Sequence, residues 1–87
     1  MDGMDWVPTA HASEMLKERG ILAAWASAVL AAPESVEPDR LDPSLQHALG
    51  RIPDHGNRVL RVVFDPSTSP VRLVPVFFDR KASRMQP

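Results

Sequence analysis

The amino-acid sequence predicts an α+β domain: an N-terminal helical hairpin packed on a three- to four-stranded antiparallel sheet. Apolar residues recur at helical spacing before Pro33, first Ala12, Met15 and Leu16, then Leu22, Trp25, Ala26, Val29 and Leu30. After residue 57 the pattern changes to β-branched runs bounded by turn residues. The length of 87 residues, 44% of them hydrophobic and 24% charged, suits one core and one domain spanning 1–87, with the ordered core at 9–78.

Thr9 is placed as N-cap of a first helix over Ala10–Arg19. Gly20 then supplies a left-handed stop, with Ile21 closing it by an apolar contact. The second stripe predicts a helix from Leu22 to Ala32, ended by Pro33. Pro33 to Pro43, with Pro38 between them and acids at Glu34 and Asp39, reads as an irregular connection. Leu45 to Ile52 reads as a strand, although Leu45 to Leu49 also suits a helix. Asp54 to Asn57 is a turn cluster, Arg58 to Phe64 the clearest strand, Asp65 to Pro70 a second turn and Val71 to Phe78 the last strand. Pro75 lacks a ladder donor and therefore places that last strand at an edge or at a bulge. Met4 to Val7 is expected to add a short strand.

In the strand Arg58 to Phe64, Leu60, Val62 and Phe64 share one face, and Val59, Arg61 and Val63 the other. Two short helices can cover only one of two apolar faces. The other is expected to need the N-terminal segment, the tail or a second chain, and the tail Arg80–Arg84 reads as too polar to serve.

No cysteine is present, which excludes disulfides, thiolate nucleophiles and cysteine metal sites and suits a reducing cytoplasm. Met1 to Pro8 carries Asp2 and Asp5 but no basic residue, so a secretory leader is not expected, and the apolar run Ile21–Ala32 is too short to span a membrane. The net charge of -1 conceals an asymmetry: residues 1–39 hold seven acidic and two basic side chains, and residues 40–87 four acidic and eight basic, seven of these arginine. Arginine clusters suit phosphate, and equally suit a solvated sheet surface.

Zinc-protease, phosphate-loop, nucleophile-elbow and dinucleotide signatures are all missing, and His11, His47 and His55 lack the spacing of a metal site. No metal and no cofactor are expected. Histidine and arginine remain, and these are the groups that metal-independent RNA cleavage uses. A base takes the 2'-hydroxyl proton, an acid protonates the leaving oxygen, and cations offset phosphoryl charge. His11, in the first turn of the first helix, is the candidate base. Arg19 lies where it could meet the same extended substrate, and Arg51, Arg61 and Arg72 could project from the sheet as phosphate or RNA contacts. Against these stand plain structural roles: a helix-start histidine bonding locally and arginines on a sheet surface. His55 reads as a turn residue.

His11-Ala12-Ser13-Glu14-Met15-Leu16-Lys17-Glu18-Arg19-Gly20-Ile21, a second helix ending at Pro33, and Arg58-Val59-Leu60-Arg61-Val62-Val63-Phe64-Asp65 together resemble the domain-of-unknown-function family four-two-five-eight. The likeness covers Thr9 to Phe78. It implies a small prokaryotic toxin-like domain of the RelE and BrnT ribonuclease architecture, with His11, Arg19 and Arg61 at the matched positions. Pro75 stands where relatives tend to carry threonine. The functional expectation is a metal-independent endoribonuclease or RNA-binding domain of toxin–antitoxin type, cytoplasmic, with RNA and either an antitoxin-like protein or a second copy as partners. The alternative is a non-enzymatic interaction module or homodimer. The nuclease reading further expects His11 and Arg61 to line one concave surface.

Overall fold

A computed structural model describes residues 5–84. Its chain order is β1 (Trp6–Pro8), α1 (Ala10–Glu18), α2 (Ala23–Ala31), β2 (Ser35–Pro38), β3 (Gln46–Ile52), a 3-10 turn (Pro53–His55), β4 (Arg58–Asp65), β5 (Val71–Phe78) and α3 (Arg80–Arg84). The α+β class is as expected, but the sheet is larger than expected and mixed. Five strands lie in the order β1-β5-β4-β3-β2, with β1 parallel to β5 and every other pair antiparallel. The expected short first strand is β1; Met4, expected at its start, lies outside the described residues.

Local chemistry sets the helix ends. The Thr9 hydroxyl accepts from the Ala12 amide at 3.2 Å, capping α1. At the other end Gly20 adopts φ +63°, the Ile21 amide reaches back to the Leu16 carbonyl (2.9 Å) and the Gly20 amide to that of Lys17 (3.3 Å). That pair of bonds is the Schellman closure, and buried Ile21 supplies its apolar contact. Below α2, Gly50 of β3 admits Val29: a Cβ at position 50 would stand 3.3 Å from its Cγ2. The glycine that weakens the strand signal in the sequence is thus where helix and sheet approach most closely.

The core lies between the helices and one face of the sheet, where Ala26, Val29 and Leu30 meet Leu60, Val62 and Phe64. Leu60, Val62, Leu73 and Val76 are the largest fully buried side chains. Two residues of β5, Val74 and Pro75, stand against Val63 between the pairs Val62↔Val76 and Phe64↔Leu73. This bulge accommodates the proline, which would otherwise cost a ladder bond.

Two segments depart from expectation. Ser35–Pro38, expected to be irregular, is the edge strand β2, paired with β3 from Ser35↔Leu49 to Pro38↔Gln46. An edge strand tolerates proline because one side of its backbone needs no partner, so the composition of 33–43 hides it. The tail is not idle: Arg80–Arg84 forms α3 against β4, and the Val59 amide donates to Ser83 Oγ at 2.8 Å. Val59, Val63 and Leu49, on the face away from α1 and α2, are only 5%, 3% and 6% exposed within one chain. The polar tail therefore helps to cover the second face, held to it by hydrogen bonds of Ser83 and Asp79 with the Val59 backbone rather than by large apolar side chains, and these apolar residues do not by themselves call for another chain. Among the described residues no helix is long and apolar enough to cross a membrane.

Candidate functional site

Alternation along β4 turns Arg61 to the face opposite α1 and α2. Register sets its neighbours. Arg61 lies across from Leu49 on β3 and Phe77 on β5, and one row over His47 pairs with Glu37 on one side and Val63 on the other. Across these two rows the ionisable side chains of β2, β3 and β4 meet.

Arg61 is the hub. Its Nε donates to Asp79 Oδ2 at 2.8 Å and its Nη2 lies 2.7 Å from the same oxygen. Its Nη1 stands 2.8 Å from His47 Nδ1 and 3.5 Å from Glu37 Oε1. Because a guanidinium only donates, His47 Nδ1 accepts; the ring proton is therefore on Nε2, which donates to Asp39 Oδ1 at 2.7 Å. A chain Asp39–His47–Arg61–Asp79 thus crosses the face with one imidazole tautomer fixed. The His47, Arg61 and Asp79 side chains are 18%, 17% and 16% exposed, whereas that of Glu37 is 54% exposed and reaches solvent.

Each carboxylate at the ends of this chain is also held by backbone. Asp39 Oδ2 accepts from the Leu41 and Asp42 amides at 3.0 and 2.9 Å, folding the β2–β3 loop. The His47 bond, followed by those amides, holds the Asp39 carboxyl below its ordinary range. Asp79 is the N-cap of α3, its Oδ1 accepting from the Ala82 amide at 2.9 Å. That amide is the main reason its carboxyl is held low, with Arg61 adding to it against the cost of burial. Glu37, Asp39, Arg40, Leu41, His47 and Arg61 line a groove of about 590 Å³ beside this chain. Among the described residues no three metal-ligating side chains stand close enough to hold an ion.

The residues singled out in the sequence divide between the two faces. Arg61, Arg51 and Arg72 project from the same outer face. Arg51 is engaged there with the Asn57 carbonyl (3.0 Å), and Arg72 stands at the far end across from Asp65. His11 is exposed on α1, and Arg19 is exposed at the C-cap of that helix; both belong to the helix side of the sheet. The expected convergence of His11 on Arg61 does not occur, because the sheet lies between them. The histidine that does meet Arg61 is His47. Its signal is present in the alternation His47, Leu49, Arg51 once Gln46–Ile52 is taken as a strand; the partners Glu37 and Asp79 depend on register and on α3. His55, expected as a turn residue, sits in the 3-10 turn and stacks on Phe78 with centroids 4.5 Å apart.

Residues 9–78 match the family described as Domain of unknown function (DUF4258). The chain belongs to that family. The match has the same span as the resemblance read from the helix-one motif and the Arg58–Asp65 strand. No curated protein matches the chain, and no solved structure does.

Proposed function

We propose that this member of the family is a metal-independent endoribonuclease of toxin–antitoxin type, cytoplasmic and related in architecture to the RelE and BrnT nucleases, and that its site is the outer-face groove rather than helix one. The observation that carries the reading is the meeting of one guanidinium, one imidazole and one solvent-reaching carboxylate at a single groove: Arg61 with His47 at 2.8 Å and Glu37 at 3.5 Å. These are the three groups that the chemistry requires. Glu37 takes the 2'-hydroxyl proton as that oxygen attacks phosphorus. Arg61, joined by Arg40 at the rim, offsets the phosphoryl charge, and protonated His47 gives its proton to the departing 5'-oxygen. The products are a 2',3'-cyclic phosphate and a free 5'-hydroxyl.

A phosphate entering the groove draws Arg61 Nη1 toward itself and frees His47 Nδ1, which takes up a proton from solvent and holds it toward the leaving group while Glu37 takes the one lost by the 2'-hydroxyl. Asp39 keeps Nε2 protonated throughout, and Asp79 keeps the guanidinium in place.

A second reading, a binding module without chemistry, is favoured by the self-sufficiency of the cluster: Arg61 is already engaged by Asp79, His47 and Glu37. An antitoxin-like protein or a second copy would then be its partner. Leu41, 93% exposed at the groove edge, offers an apolar contact for one.

Incubating the protein with a mixed-sequence RNA in the presence of a chelator separates the readings. Cleavage to cyclic-phosphate ends, lowered about a hundredfold or more by His47→Ala and left intact by His11→Ala, is expected. A folded protein that leaves RNA whole, or a His47→Ala variant that cleaves as the parent does, overturns the nuclease reading.

A further inference from the structure

At the edge of the domain beyond α3 lies a second cluster that the groove does not use. Arg58, Arg80, Ser83 and Arg84 line a cleft of about 360 Å³. Among the described residues none of the three guanidiniums lies within ion-pair distance of a carboxylate; the pairs present are His47–Asp39, Arg61–Glu37 and Arg61–Asp79. Uncompensated arginines converging on one cleft repel one another unless an anion sits between them. The Ser83 hydroxyl, the uncharged group of the four, is already committed to the Asp79 carbonyl and the Val59 amide.

An aromatic platform adjoins the same cleft. His55 and Phe78 are stacked with centroids 4.5 Å apart and 22° between planes, and Trp25 meets them at 5.2 and 6.0 Å. Arg58 joins cleft and platform: its guanidinium lies 5.9 Å from the Phe78 centroid and its Nη1 stands 3.4 Å from His55 Nε2. All three rings are half-buried, each keeping part of its surface open. Cations without a carboxylate partner among the described residues, set beside partly exposed aromatic residues, are the combination by which proteins hold single-stranded nucleic acid, the cations taking phosphates and the rings taking bases.

We infer that the Arg58–Arg80–Arg84 cleft and the His55–Phe78 platform form a docking site for a single-stranded nucleic acid, separate from the outer-face groove. An acidic peptide would satisfy the arginines but leave the rings unused, so the pairing of the two features favours the strand. The inference deepens the ribonuclease reading and rests on it only for the choice of RNA as the natural strand.

The test uses the full chain and a labelled 2'-deoxy dodecamer, which a 2'-hydroxyl mechanism cannot cut, so that binding is read apart from cleavage. Fluorescence anisotropy at several salt concentrations is expected to show binding that weakens with salt. Arg80→Ala combined with Arg84→Ala should weaken it about tenfold or more and lower the log–log salt slope by about 2, one for each phosphate no longer neutralised. An abasic dodecamer should bind several-fold more weakly than one carrying bases, and His55→Ala should remove that difference. A parent protein that binds the dodecamer yet leaves RNA whole removes the nuclease reading and leaves this site standing. No binding by the parent, an unchanged affinity and slope in the arginine double variant, equal binding of the abasic strand, or equally tight binding of poly-glutamate would each overturn the site. Arg80 and Arg84 are exposed on a terminal helix, and Arg80→Lys with Arg84→Lys, keeping the charge, guards against a folding artefact by retaining most of the salt slope.

Discussion

Replacing Asp79 offers a quantitative test of how the outer face is held. One carboxylate does two separable things: Oδ1 caps α3 through the Ala82 amide, and Oδ2 takes two contacts from Arg61 at 2.8 and 2.7 Å. Asp79→Asn keeps an oxygen for the cap and loses the charge, whereas Asp79→Ala loses both. The cap is worth about 1 kcal/mol. The charge-assisted contacts at this partly screened site are worth about 1.5–3 kcal/mol. Asp79→Ala should therefore cost about 2.5–4 kcal/mol and Asp79→Asn about 1 kcal/mol less than that. Urea unfolding followed by Trp fluorescence reads this directly, and with a slope near 1 kcal/mol/M the alanine variant's midpoint falls by about 2.5–4 M. Adding Arg61→Ala to each background closes a double-mutant cycle whose coupling should exceed about 1 kcal/mol. The pH dependence has a fixed sign. The folded-state value of Asp79 is depressed, so its contribution is full above the ordinary aspartate range and disappears as pH falls through the folded value. The gap between parent and Asp79→Asn should accordingly narrow as pH drops from about 5 toward 2. Equal losses in the two variants, or additivity with Arg61→Ala, would show that the two oxygens do not act as described.

Other perturbations test the core and its edges. Leu60→Ala, at a fully buried position under the helices, should cost about 2–5 kcal/mol in the same urea assay, and a loss under about 1 kcal/mol would place Leu60 outside the core. Gly50→Val should cost about 1–3 kcal/mol by driving a branched side chain into Val29, and a neutral result would mean that α2 does not rest on β3 as described. Thr9→Ala should cost about 1 kcal/mol through loss of the α1 cap, measured as a lower melting temperature. Global stability should fall on acidification below about pH 4, because Asp39, Asp65 and Asp79 are all held below their ordinary values; a thermal midpoint flat from about pH 5 to pH 2.5 would contradict this.

What the sequence made legible follows from the range over which each signal acts. The helix boundaries are local matters, a threonine cap, a Gly20-Ile21 closure and Pro33, and all three read correctly to within a residue or so. The strand Val71–Phe78 is recovered to its ends, and the requirement that Pro75 sit at an edge or a bulge is met by the bulge opposite Val63. Strand β2 was hidden because Pro33, Pro38 and Pro43 dominate its composition, and an edge strand needs only half a ladder. The site failed to read for a different reason. Pairing His11 with Arg61 requires both to reach one face, and nothing in a linear pattern states which face a helix covers until the sheet's inner row is known. Once Leu60, Val62 and Phe64 are assigned beneath the helices, Arg61 must point away from them, and a histidine on α1 cannot reach it. His47 can, because antiparallel β3–β4 pairing sets it one row from Arg61 on the same face.

The charge asymmetry between the two parts of the sequence is resolved on this outer face, and the way it is resolved bears on function. Glu37 and Asp39, from the acidic part, close over Arg61 and His47 from the basic part, and Asp79 completes the cluster. Arg61, the most suggestive arginine in the linear sequence, is therefore the one most thoroughly neutralised in the fold. The basic excess is not cancelled but displaced. It reappears at Arg58, Arg80 and Arg84, where the described residues provide no acidic partner. In the proposed reading a polyanion is drawn first to the α3 edge by long-range attraction, and meets the His47–Arg61 groove only where its phosphate can compete with Asp79 and Glu37 for the guanidinium. Neutralising Glu37 should ease that competition while removing the proposed base. Glu37→Gln is thus expected to bind a 2'-deoxy strand at least as tightly as the parent and to cleave RNA far more slowly. Weaker binding together with undiminished cleavage would reverse the roles assigned to the two surfaces.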